Sequence, residues 1–231
     1  MRPARRAARV LAVEAVGPYA LVRVARAGLE PGEPGQFFML TPPGRVVPRP
    51  MSVCLARPRE LGFLVDPVGP GTRALASLAA GERIELFGPL GRGFRLDVGR
   101  PLLVGGGIGI APLPYLAQRL PRAPAVLGFR TPRHAEAGTL LPGAHVVVEP
   151  TLVTERIDRR RDVLACGPEP MLRAVAELAP TAQLAWEAPM ACGYGGCYGC
   201  AVEIGGELRR LCMDGPVLAA EAVRPLAAAA A

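Results

Sequence analysis

Residues 191–200 read ACGYGGCYGC, and with one more cysteine downstream they place Cys192, Cys197, Cys200 and Cys212 in the order C-x4-C-x2-C-x11-C. Thiolates at that spacing hold a 2Fe–2S cluster. Such a centre needs four sulfurs converging on a small anionic core, with backbone N–H groups turned inward, and the interspersed glycines let the chain curl that tightly. Register places the fourth ligand. Residues 201–204, the pair Gly205-Gly206 and residues 207–212 read as a two-residue hairpin. Pairing Ile204 with Glu207 sets Cys200 opposite Leu211, which returns Cys212 to the first three ligands.

Other uses of cysteine compete with this reading. A zinc site also takes four thiolates, but its usual knuckles are short C-x2-C pairs on both sides, whereas here the first gap is four and the last ligand stands alone. Disulfides suit an even count of six cysteines. The N-terminal MRPARRAARVLAVEAVG lacks the uninterrupted apolar stretch of a secretory leader, however, because Glu14 breaks it early. Buried inert thiols are a third use, and Cys54 lies outside the quartet. The expectation is a soluble, cytoplasmic protein.

At 231 residues, half of them hydrophobic, the chain can bury substantial cores. It contains no lysine, so its net charge of +7 is carried by arginine. The arginines are scattered, apart from 159–161, with no interleaved aromatics. That argues against nucleic acid and for a solvated surface that also meets phosphate-bearing cofactors. Residues 101–118 carry no charge for eighteen positions, close to a membrane-spanning length. They contain GGGIGIAPLP, which points to a ligand loop instead. The alanines after Leu226 read as a frayed tail.

Two patterns divide the chain. From about residue 8 to 96, short strand-like segments alternate with Gly/Pro punctuation (YALVRVAR, GQFFMLTP, PMSVCLARP, ERIELFGPLG), as in a small antiparallel barrel. Apolar strands at 101–104, 125–128, 145–148 and 162–165 then alternate with helical stretches at 112–120 and 170–178. This is the pattern of a parallel sheet flanked by helices. A strand at 183–187 leads into the cysteine loop. The expected architecture is thus multi-domain β plus α/β: an antiparallel β-barrel over 1–98, a parallel-sheet α/β domain over 99–184 and a small cysteine-loop lobe over 185–231, which the family resemblance drawn below makes the FAD-binding, NAD-binding and 2Fe–2S cluster-binding parts.

GGGIGIAP, residues 105–112, follows a strand and precedes a helix, so Gly105, Gly106, Gly107 and Gly109 can bring backbone close to a pyrophosphate. It is not the G-x-G-x-x-G fingerprint, because the last position is Ile110. CGPEPML repeats the arrangement at Cys166, Gly167 and Pro168. Arg49, Pro50, Met51 and Ser52 combine a guanidinium that can grip phosphate with a hydroxyl. GPGT at 69–72 adds backbone donors and the Thr72 hydroxyl. Arg130, after the second α/β strand, could meet a ribose or a 2′-phosphate, leaving NADH and NADPH undecided. His134 and His145 have no metal-ligand partner nearby and read as surface or structural residues. Trp186 and Glu187 read as packing and turn residues, although Glu187 could sit near a nicotinamide.

These residues together resemble the ferredoxin-reductase-like flavoproteins and, within them, the electron-transfer subunits of NAD-dependent dihydroorotate dehydrogenase. RPMS at 49–52 resembles that family's flavin motif. Leu64, Val65 and Asp66, with Gly71 and Thr72, resemble its second FAD segment, although Asp66 stands where an arginine is common. GGGIGIAP and CGPEPM are similar to its nicotinamide-side loops, and MACGYGGCYGC with CMDGP to its cluster loop. The resemblance implies an oxidoreductase subunit with FAD, a 2Fe–2S cluster held by Cys192, Cys197, Cys200 and Cys212, and NAD as substrate. It further implies a catalytic FMN-containing partner that oxidises dihydroorotate in pyrimidine biosynthesis, assembled as a heterotetramer, with no acid–base residue for orotate chemistry on this chain. A subunit of an NAD(P)H:ferredoxin or sulfide-type flavin reductase shares the layout. A zinc-stabilised binding module is the non-redox alternative.

Overall fold

The computed structural model describes residues 3–204 and 206–222, so Gly205 of the hairpin turn and the alanine-rich tail lie outside the described residues. The first half builds seven strands: β1 (Ala4–Val16), β2 (Tyr19–Ala25), β3 (Phe37–Thr41), β4 (Arg49–Ser52), β5 (Leu55–Ala56), β6 (Glu60–Val65) and β7 (Arg83–Leu90). They form one antiparallel sheet in the order β4-β3-β7-β1-β2-β6-β5. PMSVCLARP, expected as a single strand, divides at Val53-Cys54 into β4 and β5, which lie at opposite edges of this sheet. Two edges joined by two residues must lie close together, so the sheet curls into a half-barrel.

Its interior holds residues that alternate inward, such as Phe38 and Leu40 of β3 and Leu61, Phe63 and Val65 of β6, all fully buried. Phe38 and Phe63 meet edge to face at 5.8 Å between centroids. A short helix, α1 (Pro70–Ala76), begins within GPGT, with Gly69 as its N-cap. Its N-terminus is closed by Thr72, whose Oγ1 accepts the Gly69 N–H at 3.0 Å.

The second sheet comprises β8 (Pro101–Gly106), β9 (Ala125–Phe129), β10 (His145–Val148), β11 (Asp162–Cys166) and β12 (Gln183–Ala185), all parallel. The helices α2 (Leu113–Arg119), α3 (Pro132–Ala135) and α4 (Glu169–Leu178) alternate with these strands. The uncharged stretch at 101–118 therefore divides into β8, a 3-10 turn over Gly107–Ile110 and α2. No helix among the described residues is long and apolar enough to cross a membrane. The strands at the centre are buried on both faces and read as continuous apolar runs, LLVGG and VLAC, as parallel strands covered by helices require.

The C-terminal segment leaves β12, forms the cysteine loop, the hairpin β13 (Ala201–Ile204) and β14 (Glu207–Arg210), and the turn of helix α5 (Leu211–Asp214). It then returns as β15 (Val217–Ala219), an antiparallel edge strand on β12. The hairpin has the expected register: Ile204 pairs with Glu207, and the Leu211 N–H donates to the Cys200 carbonyl at 3.1 Å.

Several links join the sheets. The Gln183 side chain accepts from the Arg95 N–H at 2.7 Å and donates to the Arg95 carbonyl at 3.0 Å. Buried Tyr115 of α2 donates to the Gly32 carbonyl at 2.7 Å. An apolar cluster runs from Phe37, Met39 and Leu90 of the half-barrel through Cys200, Leu211 and Cys212 to Leu172 and Val175 of α4.

Within the half-barrel, buried Glu60 accepts from Arg23 and Arg57 at 2.7 Å each, and Arg23 also donates to Glu14 at 2.6 Å. The Arg23 hydrogen bond, followed by charge attraction from both arginines, outweighs burial and holds the Glu60 carboxyl below its ordinary range. A depressed carboxyl stabilises the fold above its unfolded pKa, and that contribution disappears as pH falls through the folded value. Glu60→Gln is therefore expected to cost about 2 kcal/mol near neutrality. The gap to wild type should close below pH ~4, as measured by urea unfolding across pH.

Candidate functional site: two clefts and a thiolate loop

Both glycine turns end strands that lie side by side. β8 and β11 pair with Gly105 opposite Cys166, and the order β10-β9-β8-β11-β12 makes the chain leave this point in opposite directions. Open α/β sheets bind ligands at such a switch, beyond the carboxyl ends of the strands. The turns also touch: a methyl at Gly109 would overlap the Cα of Gly167, and one at Gly106 would meet Met171 Sδ at 2.5 Å. Gly107, at φ +55°, is in the left-handed region where glycine is favoured. Gly105 lies behind the turn against Leu113 and Ile110.

A cleft of about 480 Å³ opens over these turns, floored by Gly106, Gly107 and Ile108 and bounded by Pro168 and Met171 of the second turn. Arg130 and Glu149, at the ends of β9 and β10, form its far wall. The half-barrel contributes Tyr19 and Asp66, and α3 contributes His134. His134, expected in a loop, is on a helix whose N-cap is Thr131, and its Nδ1 lies 2.7 Å from Thr131 Oγ1. Its ring meets Tyr19 edge to face at 5.7 Å. Burial, then the Asp66 carboxylate, pushes the Tyr19 hydroxyl up to about 12, against the opposing charge of Arg130. Burial also raises the Asp66 carboxyl, with His134 acting against it.

A second cleft, about 240 Å³, lies between the half-barrel and the sheet. Pro50, Met51, Ser52 and Leu64 line one side, Gly109 and Cys166 the other, and Trp186, Glu187 and Met190 close the end nearest the cysteine loop. Asp66 and Ile108 line both clefts. Val65 points the opposite way from Leu64, into the half-barrel core, and reaches neither cleft. Arg49 stands beside the second cleft with its guanidinium over Gly71, where a methyl would come within 2.5 Å of Nε. That contact brings the RPMS and GPGT segments together, and Thr72 lines the cleft next to them.

The Trp186 indole Nε1 is buried without a hydrogen-bond partner, although buried donors are ordinarily satisfied. That nitrogen is closed off from the cleft as well, so the fit rests on the walls: Phe37, Pro50, Met51, Leu64 and Trp186 suit a flat heteroaromatic ligand. The residues present therefore fit a flavin.

The cysteine loop packs on the half-barrel through Gly193, φ +78°, where a methyl would meet Met39 Cγ at 2.6 Å. Tyr194 meets Phe87 of β7 edge to face at 6.1 Å. Arg210 braces the loop by donating to the Gly195 carbonyl at 2.9 Å and lying over the Tyr198 ring at 5.0 Å. Cys197 is exposed, Cys192 half-buried, and Cys200 and Cys212 buried.

The thiols sort into two couples. For Cys192 burial acts upward, but backbone N–H groups of Tyr194, Cys197 and Gly196 and the Cys197 thiol lower its pKa to about 6. For Cys212, burial and then the hydrogen bond with Cys200 push it up to about 12. The Cys212 N–H also donates to Cys200 Sγ at 3.5 Å, and the Gly199 N–H to Cys197 Sγ at 3.4 Å. Among the described residues, no three His, Cys, Asp or Glu side chains group as the ligands of a metal ion would. The four thiols share one loop and its hairpin, and Cys212 is affected by Cys200 and by Cys192.

Comparison with known proteins agrees with this layout. Residues 187–224 match the family model described as the iron–sulfur cluster binding domain of dihydroorotate dehydrogenase B. The dihydroorotate dehydrogenase B (NAD(+)) electron transfer subunit of Caldanaerobacter subterraneus subsp. tengcongensis is 36% identical over 213 residues, covering 82% of this chain and 86% of the relative. The chain belongs to this family of electron-transfer subunits. The family's Bacillus caldolyticus subunit is 35% identical, with 87% of this chain and 91% of that one covered. Among solved structures, an NADH-dependent reduced ferredoxin–NADP oxidoreductase superposes with a TM-score of 0.79 at 24% identity, over 94% of this chain and 89% of that one. A ferredoxin NADP+ reductase from Neisseria gonorrhoeae with bound FAD and NADP superposes at 0.59 and 17% identity, over 75% and 91%. These likenesses carry the ferredoxin-reductase-like fold to the family member described here.

Several cleft residues had escaped sequence reasoning. Tyr19 carries no local motif, and Thr131-Pro132 signals a helix start without saying that His134 faces a ligand cleft. The contact between the turns generates a test. Gly109→Ala is expected to force them apart, lowering the unfolding temperature and weakening NADH binding roughly tenfold, about 1.4 kcal/mol, as checked by thermal unfolding and calorimetric titration.

Proposed function

We propose that this chain is the electron-transfer subunit of a dihydroorotate dehydrogenase, passing electrons from a dihydroorotate-oxidising, FMN-containing partner to NAD+. The observation that carries the proposal is spatial order. The thiolate loop rests on Met39 of β3, Phe37 of the same strand lines the flavin-sized cleft, and that cleft shares Asp66 and Ile108 with the dinucleotide-sized one.

In this reading Cys192, Cys197, Cys200 and Cys212 hold a 2Fe–2S cluster. Arg49, Ser52 and Thr72 grip the phosphate and ribityl oxygens of FAD, and Pro50, Met51, Leu64 and Asp66 shape its ring site. Gly71 leaves room for Arg49, while Val65 supports the segment from the core. Gly106 and Gly107 bring backbone close to the pyrophosphate of NAD, backed by Gly105, and Gly109 and Gly167 keep the two turns in contact. Cys166 and Pro168 border the nicotinamide. When bound, the cluster supplies one-electron transfer, and the flavin, which exchanges one or two electrons, links it to hydride transfer. The residues bind and orient these groups, and Phe37, Trp186 and Met190 keep water from the space between loop and cleft.

The surface around the loop supports a partner there. Tyr194, Tyr198, Met213 and Leu208 are 58%, 64%, 45% and 80% exposed, and Val46 across the adjoining groove is 95% exposed. Aromatic and Met side chains gathered on one face suit a protein interface. The catalytic subunit covers this face in the proposal, which places its flavin next to the thiolate centre, with two copies of each subunit in the assembly.

Anaerobic co-purification with the partner, followed by visible spectroscopy and iron, sulfide and flavin assays, tests the proposal. Two irons, two sulfides and one FAD per chain are expected, with dihydroorotate-dependent NADH formation. Cys200→Ser should lose the iron and the dihydroorotate-driven activity while keeping FAD and NADH oxidation with an artificial acceptor. Colourless protein containing zinc would reject the proposal, as would NAD(P)H oxidation by a complex inert to dihydroorotate.

A further inference from the structure

Resting on the function proposed above, one stoichiometric requirement singles out a residue. Oxidation of dihydroorotate to orotate by the partner releases two electrons and two protons. The electrons cross to this chain singly and carry no proton. NAD+ departs as NADH, having gained two electrons and one proton. For every turnover, therefore, one proton has to enter the flavin cleft from a group on this chain or from water that such a group admits.

Only three titratable side chains line that cleft among the described residues: Asp66, Cys166 and Glu187. Cys166 ends β11 at 4% exposure, and burial, with the nearby Glu187 carboxylate, raises its thiol well above the ordinary range. A thiol so placed does not exchange protons with solvent near neutrality. Asp66 is on the opposite wall, at the seam between the clefts, with Tyr19 and His134 facing it and Arg130 beyond. It lines the dinucleotide cleft as well, so it does not belong to the flavin cleft alone.

Glu187 is placed differently. It stands two residues beyond β12, whose Ala185 pairs with Cys166, and so lies at the carboxyl ends of the strands beside the switch point. It lines the flavin cleft and not the dinucleotide cleft. Glu187 as a residue is exposed, so solvent reaches it, while its carboxyl lies against walls that desolvate it and raise its pKa. Facing it are the Cys166 thiol and the adjacent Trp186 indole. The cation on that side, Arg173, is engaged by Glu169 and by the Trp186 ring at 5.9 Å.

We infer that Glu187 is the proton carrier of the flavin cleft. Its carboxylic O–H bond breaks as an N–H bond forms on the flavin ring, and solvent at the cleft mouth returns the proton to the carboxylate before the next pair of electrons arrives. Electron and proton therefore enter the cleft from its cysteine-loop end, and the hydride leaves across Ile108 and Asp66.

Infrared difference spectroscopy of the loaded complex, oxidised minus NADH-reduced, tests this directly. The wild type is expected to show a change in the carbonyl stretch of a protonated carboxylic acid; Glu187→Gln should abolish it and Asp66→Asn should retain it. Dihydroorotate-driven NADH formation in Glu187→Gln should fall more than tenfold, with flavin content and KM for NAD+ unchanged. Glu187→Asp should restore part of the rate and shift the pH profile. A carbonyl change that survives in Glu187→Gln, or that vanishes in Asp66→Asn instead, overturns the inference, as does an undiminished rate in Glu187→Gln. Failure of the underlying function has a separate signature, because a wild-type complex without flavin absorbance would have no cleft ligand to protonate.

Discussion

The three-strand-residue pairing of β12 with β15 is the constraint on which the arrangement of sites depends. The chain leaves the sheet after Ala185, builds the whole cysteine loop and hairpin, and is brought back at Val217 against the strand it left. The Arg92 N–H donates to the Gly215 carbonyl, and the Trp186 N–H to that of Pro216, so the returning segment is tied to the half-barrel side and to its own departure point. A lobe this small has little core of its own, since Ile204, Leu211, Cys200 and Cys212 contribute to a cluster shared with both sheets. Its thiols are positioned by its neighbours as much as by its own turns, as small units with few buried residues require.

Electrostatics follow from this placement. The Cys192 side of the loop is rich in inward N–H groups and favours a thiolate, whereas Cys200 and Cys212 lie in the apolar cluster, where an uncompensated charge is costly. A metal ion held there, as proposed, would supply the missing counter-charge.

Much of the fold was legible in the sequence where local rules dominate. Alternation and Gly/Pro punctuation gave the antiparallel strands, and continuous apolar runs before glycine gave β8 and β11. The Gly-Gly turn with the spacing of Cys200 and Cys212 gave the hairpin register. What escaped notice depends on tertiary adjacency. The division of PMSVCLARP reflects closure of a curled sheet, which no local pattern records, and GPGT concealed a helix because its N-cap is a glycine, Gly69, whose N–H is taken up by Thr72 three residues on. The return strand VLA is too short to be recognised without the partner it pairs with. That His134 lines one cleft and Glu187 the other depends on walls contributed by distant segments, which no local pattern records.

The wall common to the two clefts has a consequence for how such a protein can change. Ile108 and Asp66 each present themselves to two chambers, so a substitution that refines the fit of one ligand alters the boundary of the other. Adaptation toward a different nicotinamide would be expected to proceed from the far rim inward, leaving this partition to vary only in concert with the residues on both of its sides.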